Sequence, residues 1–191
     1  MSTKVEAKTK QQEPSLGRRF AGYVVDWYVG GLCTSLPIAL VSQKLYRTML
    51  EQNLLKFPTP FGLLAGSLAL LFAVFYFVIV PTYIYPGQTL GKRLCKIAIV
   101  KDNGTKVGLK DLLLRQIVGI FIIEGSIVTA SAIWHQLAEL LTGVKLVTPL
   151  MYVGMVVSII SALLVAFGKR HKAIHDYVAQ TKVVMVSRET N

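Results

Sequence analysis

Apolar positions run through this chain in long, nearly unbroken blocks separated by polar and basic connectors. The blocks cover about residues 20–41, 61–84, 111–132 and 146–167. Each approaches the ~20 residues that an α-helix needs to cross a hydrocarbon core ~30 Å thick. The pattern predicts an all-α membrane protein, a four-helix transmembrane bundle. From Leu109 to Leu141 the helical pattern outruns one bilayer, so His135 to Leu141 is read as an interfacial turn. Pro81 is placed to bend the end of the second block.

The connectors carry a different rhythm. In the connector of about 85–110, Pro86-Gly87 marks a turn, Ile97 to Val100 reads as a short strand, and Asp102-Asn103-Gly104 supplies a hairpin signal. Thr181 to Val186 has the β-branched character of another strand. Pairing the two in a small sheet would leave neither as an exposed edge. Residues 1–16 are polar and aperiodic and read as a disordered tail, leaving 17–187 as the transmembrane domain. The first block is too long for a signal-peptide core and reads as a retained helix.

Composition strengthens the membrane reading. Apolar residues make up 53% of the chain, charged residues only 16%, and the mean hydropathy is +0.53. Soluble domains carry about 25% charge. The net charge of +11 resides between the apolar blocks. Seventeen lysines and arginines fall in the amino-terminal tail, the 85–110 connector with Arg115, and the carboxyl tail; Lys44, Arg47, Lys56 and Lys145 fall on the other side. Positive residues accumulate in the cytoplasm, which places both termini and the sheet there, against anionic headgroups. No recognition motif supports nucleic-acid binding.

Within the first block, Arg19, Gly22, Asp26 and Gly30 recur at intervals of three and four, and Thr34 extends the stripe. They share one helix face. Glycines flanking a polar residue admit a close neighbour. Asp26 lies about 10 Å beyond Arg19 along the axis, too far for a direct pair. A carboxylate at mid-membrane costs roughly 3 kcal/mol and defaults to a functional hypothesis, with hydrogen bonding to a neighbouring helix as the competing reading. Glu124 is a second intramembrane acid; the two acids with Ser126 and Ser131 either line a proton or cation path or are unrelated, and the sequence does not choose. On an α-helix Glu124 and Arg115 fall on nearly opposite faces.

Other motifs lead nowhere. His171 and His175 have i, i+4 spacing, but Lys172 stands where a zinc protease needs glutamate and no third ligand follows, so no metal is expected. Gly87-Gln-Thr-Leu-Gly-Lys92 is one residue short of a phosphate loop, and Arg93 replaces the magnesium-binding hydroxyl. Asn103-Gly-Thr105 is a glycosylation sequon on the cytoplasmic side. Cys33 and Cys95 form no framework. With no nucleophile, base or carboxylate pair in a catalytic pattern, neither enzyme activity nor a cofactor is expected.

Arg19-Phe20-Ala21, Asp26, Gly87-Gln88-Thr89-Leu90-Gly91-Lys92, Arg115, His175-Asp176, Thr181 and Val183-Val184 together resemble the RDD family of bacterial and archaeal membrane proteins. The resemblance implies Arg19 (Arg18 less so), Asp26 and Asp176 as signature residues, and a prokaryotic cytoplasmic membrane. Exchange of monovalent cations for protons has been proposed for some members; a scaffold role is the alternative. Glu124 lies outside that signature. In the predicted topology Arg19, Asp26, Arg115 and Asp176 form one charge-neutral cytoplasmic network, a clasp or a gate, with Glu124 and His175 as weaker candidates. Four helices make a thin wall for a carrier, which suggests a homo-oligomer.

Overall fold

The structure is a computed structural model that describes residues 12–125 and 129–186. The polar segment up to residue 11, Ser126 and Arg188 lie outside the described residues. Residues 12–16 depart from the expected tail. The Met185 amide donates to the Gln12 carbonyl at 2.9 Å, and the first helix already begins at Leu16.

Helix α1 spans Leu16–Tyr46, with Ser15 at its N-cap accepting from the Arg18 amide. Its buried residues include Gly22, Asp26, Gly30 and Thr34, the stripe expected from the spacing. Helix α2 spans Thr59–Val74 and continues without interruption as a π-helix over Phe75–Ile84. A π-helix bonds i to i+5 and is rare at this length. Pro81 sits inside it, where the residue contributes no amide. Gly62, Ala65, Gly66, Ala69 and Ala73 bury a small-residue stripe on α2. A Cβ at Gly66 would lie 2.6 Å from Leu137, so this stripe is what lets the partner helix approach.

The chain then turns through Gly87 (φ +74°) into the short helix α3, Leu90–Leu94, and strand β1, Ile97–Lys101. Helix α4, Leu109–Leu113, runs directly into a second π-helix, Leu114–Glu124. Gly125, at φ +46°, ends it. Helix α5, Thr129–Thr142, follows at 66° to it. Helix α6 is Val147–Phe167, and the Glu139 carboxylate of α5 accepts from the Leu146 and Val147 amides at its start. Helix α7, Ile174–Val178, and strand β2, Thr181–Met185, complete the fold.

Among the described residues, three helices are long and apolar enough to cross a membrane: Leu16–Tyr46, Thr59–Ile84 and Val147–Phe167. A fourth span exists only if the bent pair Leu109–Glu124 and Thr129–Thr142 is counted as one. The span expected over about 111–132 thus falls on a bent pair of helices, which pass as a span only together. Gly125 takes a left-handed conformation that stops the helix, and the chain restarts in a new direction. The interfacial turn expected at His135 to Leu141 is corrected. That stretch belongs to α5, with His135 and Leu137 buried.

The core follows α2. Ile38, Leu54, Phe57, Ala65, Ala69, Ile133 and Leu137 cluster around its first half. Ala73, Tyr76, Phe77, Phe121 and Ala130 form the next cluster, and Val78, Ile99, Val107 and Leu112 the last. Beside that last cluster, β1 and β2 pair antiparallel, Ile97 opposite Met185 and Lys101 opposite Thr181. This is the sheet between connector and carboxyl tail that the strand signals predict. Val100 also bridges Lys106 across the Asp102–Gly104 turn. The start of α1, the connector and the tail thus meet at one end of the molecule.

Candidate functional site

The signature residues divide into separate centres at that end. The first is built on Asp26, which is 3% exposed. Its Oδ1 accepts from the Tyr76 hydroxyl and the Gly91 amide, both at 2.8 Å. Its Oδ2 accepts from the Thr89 hydroxyl at 2.5 Å and the Lys92 ammonium at 2.8 Å. Helix α3 and its N-cap bring Thr89, Gly91 and Lys92 to α1, while the π-helical end of α2 supplies Tyr76. Asp26 therefore lies at the level of the connector rather than alone at mid-membrane.

The motif that is no phosphate loop turns out to be a carboxylate cradle. At Gly87 a Cβ would collide with the Ile99 carbonyl, and the Gly87 carbonyl itself accepts from the Ile99 amide at 2.8 Å. Gln88 donates to the Ile97 carbonyl at 2.8 Å. A Cβ at Gly91 would lie 2.7 Å from Asp26 Oδ1. The neighbours invited by the other glycines are equally specific. Gly22 faces Ile97, Cys95 and the Gly91 carbonyl, and Gly30 faces the Phe77 ring.

The second centre joins Arg115, at the start of the second π-helix, to Asp176 of α7; the two side chains are 4% and 3% exposed. Arg115 Nη1 donates to Asp176 Oδ1 and, at 2.8 Å, to the Thr181 hydroxyl at the start of β2. Asp176 Oδ2 accepts from the Ala173 amide at 3.1 Å, capping its own helix. Burial pushes the Asp176 carboxyl up, but the charges of Arg115 and His175, with the hydrogen bonds from Arg115 and Ala173, outweigh it. They hold the group below its ordinary value.

The single network expected of Arg19, Asp26, Arg115 and Asp176 is corrected by these partners. Asp26 takes its counter-charge from Lys92. Arg19 donates to the His171 carbonyl at 2.5 Å and the Val183 carbonyl at 3.3 Å, so it ties α1 to the tail without reaching Asp26. Arg18 is exposed, with Met185 Sδ at 3.9 Å.

The third centre brings together residues that α-helical spacing would keep apart. Glu124 Oε1 accepts from the Ser161 hydroxyl at 2.6 Å and the His175 amide at 3.1 Å, and lies 2.8 Å from His175 Nδ1. His175 Nε2 is 3.9 Å from Asp176 Oδ2, so the imidazole stands between two carboxylates. Opposite faces for Arg115 and Glu124 hold only for an α-helix. Nine residues are two and a half α-turns but about two turns of the wider π-coil. Arg115, Gly119 and Glu124 consequently meet α7 together; a Cβ at Gly119 would lie 2.6 Å from that of His175. His171 turns away, its Nδ1 on the Val165 carbonyl at 2.8 Å, so the two histidines share no ligand position. Ser131 is buried on α5 and does not line this site.

A cavity of about 480 Å³ lies among α1, the second π-helix, α6 and α7. Asp26, Arg19, Arg115, Glu124, His175 and Asp176 all contribute to its wall. Its chemistry is that of closely paired acids and bases set in an apolar lining, suited to holding or passing a proton or a small charged group. Tyr76 and Ser161 are partners that sequence reasoning missed, while Thr89, Lys92 and Thr181 stand in the motifs of the resemblance without having been assigned partners. For Thr89 and Lys92 the signal was present in the Gly87–Lys92 motif.

The family model described as RDD family matches residues 13–180, most of the chain. No curated protein and no solved structure matches it.

Proposed function

The chain belongs to the RDD family, and on that footing we propose that it exchanges monovalent cations for protons as a multi-pass protein of a prokaryotic cytoplasmic membrane. The observation that carries this reading is the Glu124–His175 pair on the cavity wall, hydrogen-bonded to Ser161 and 3.9 Å from the next carboxylate. A carboxylate and an imidazole in contact can hold one proton as a net-neutral pair, and its release leaves one negative charge that an incoming monovalent cation would balance. Asp26, with four donors already on its two oxygens, is the group that holds α1, α2 and α3 around the site. In this reading both termini and the sheet are cytoplasmic, as the lysine and arginine bias requires, and the basic connector rests on anionic headgroups. A homo-oligomer thickens the wall that so few helices provide.

Reconstituted vesicles carrying an internal pH indicator test it. Adding sodium, potassium or lithium outside is expected to shift internal pH with the wild type and not with Glu124→Gln. Wild-type vesicles that behave like empty ones with all three ions overturn the exchange reading.

A second reading is a non-enzymatic membrane scaffold or regulatory partner. It is favoured by the closure of Lys92–Asp26 and Arg115–Asp176, each pair joining segments far apart in the chain. Crosslinking in native membranes, with a reproducible partner and silent vesicles, supports it; self-contacts alone count against it.

A further inference from the structure

Arg19 is the one cation of the cavity wall with no ion pair among the described residues. Asp26 has Lys92 and Asp176 has Arg115, while Glu124 contacts His175, a charged partner only when its imidazole is protonated. Arg19 is left with two backbone carbonyls, and its Nε–H has no acceptor among the described residues. A guanidinium in this position is a ready partner for a carboxylate, which it can take in a forked pair. The remainder of the lining is mostly apolar, with Phe20 and Trp27 on α1, Phe121 on the second π-helix, and Ala162 and Val165 on α6.

The cavity is also open on one side. Helices α1 and α6 bound it, yet they do not pack along one another; α6 rests on the second π-helix and α5. Phe20 is 69% and Trp27 48% exposed, so the gap between the two helices leads outward. Both helices are long and apolar enough to span a membrane, which would set the opening between them against lipid. The volume falls within the ~300–1,000 Å³ common for small-molecule sites.

We propose that the cavity binds a fatty-acid-like anion drawn from the bilayer through the gap between α1 and α6. Its carboxylate pairs with Arg19, and its chain lies along Phe20, Trp27, Phe121 and Val165. This binding is separate from ion exchange and is read without an ion gradient.

The test uses the full chain in lipid nanodiscs and a photoactivatable palmitate carrying a diazirine in its chain. Adducts are expected within residues 20–27 and 158–166, with unlabelled palmitate competing and hexadecanol competing about tenfold less well, the loss of the charge-assisted pair. Arg19→Gln is expected to lower labelling. Because that change also removes bonds to two carbonyls, Ala162→Trp serves as the second variant, filling the chamber from an exposed position with folding checked by melting. It is expected to abolish labelling with the melting temperature kept. Adducts spread over outward residues such as Val153 and Ile160, equal competition by hexadecanol, or undiminished labelling of Ala162→Trp would each overturn the proposal. Stronger competition by a lysophospholipid than by palmitate overturns the carboxylate assignment in favour of a phosphate head.

Discussion

The Gly91 amide donates to Asp26 at 2.8 Å, and no side chain fits at residue 91 without meeting that carboxylate and the Gly22 carbonyl. Gly91→Ala must therefore push α3 off α1. We expect it to destabilise the protein by about 1–3 kcal/mol, the range for overpacking a close contact. Thermal unfolding in detergent measures this, and an unchanged midpoint contradicts the cradle.

Asp26 and Lys92 are expected to behave as one unit. Removing either partner of a buried ion pair costs roughly 3–5 kcal/mol, because the other charge stays behind. Asp26→Asn and Lys92→Met should each destabilise strongly, and the double variant should lose less than the two losses added. Additive losses would mean that the 2.8 Å contact carries no coupling.

The Arg115–Asp176 clasp has a pH signature. The folded Asp176 carboxyl is held below its ordinary value of 3.8. A depressed acid contributes stability that is fully present above the unfolded value and is lost as pH falls through the folded one. The unfolding midpoint of the wild type is therefore expected to drop as pH is lowered below about 4, with Asp176→Asn less stable at neutral pH and flatter in that window. Parallel curves for the two proteins would remove Asp176 as the source.

Gly119 sits where α7 presses on the second π-helix. Gly119→Ala is expected to undock α7, seen as faster amide exchange over residues 174–185 while α2 exchanges as before. Uniform exchange across the chain would show that the contact is not local.

Much of this arrangement is legible in the order of the amino acids. The recurrence of Gly22, Asp26, Gly30 and Thr34 at every fourth position marks a buried stripe whatever packs on it, because helix periodicity is local. The strand pairing of Ile97–Lys101 with Thr181–Met185 is legible for a similar reason: two short β-branched runs need each other's backbone groups. The partners of the charged groups are not. Arg115 and Glu124 show why, since their shared face depends on a π-winding that apolar periodicity does not announce.

By itself, then, the sequence determined the membrane-type helices, the buried face of α1, the two-stranded sheet and the basic character of one end. These follow from hydropathy, helical period and charge, which act over a few turns. Only the tertiary structure decided that Lys92 rather than an arginine answers Asp26, that Asp176 answers Arg115, and that Glu124 meets His175 beside a cavity. Each of those choices joins residues about 50 to 66 positions apart. Which charge reaches which is settled by where α3 and α7 come to rest.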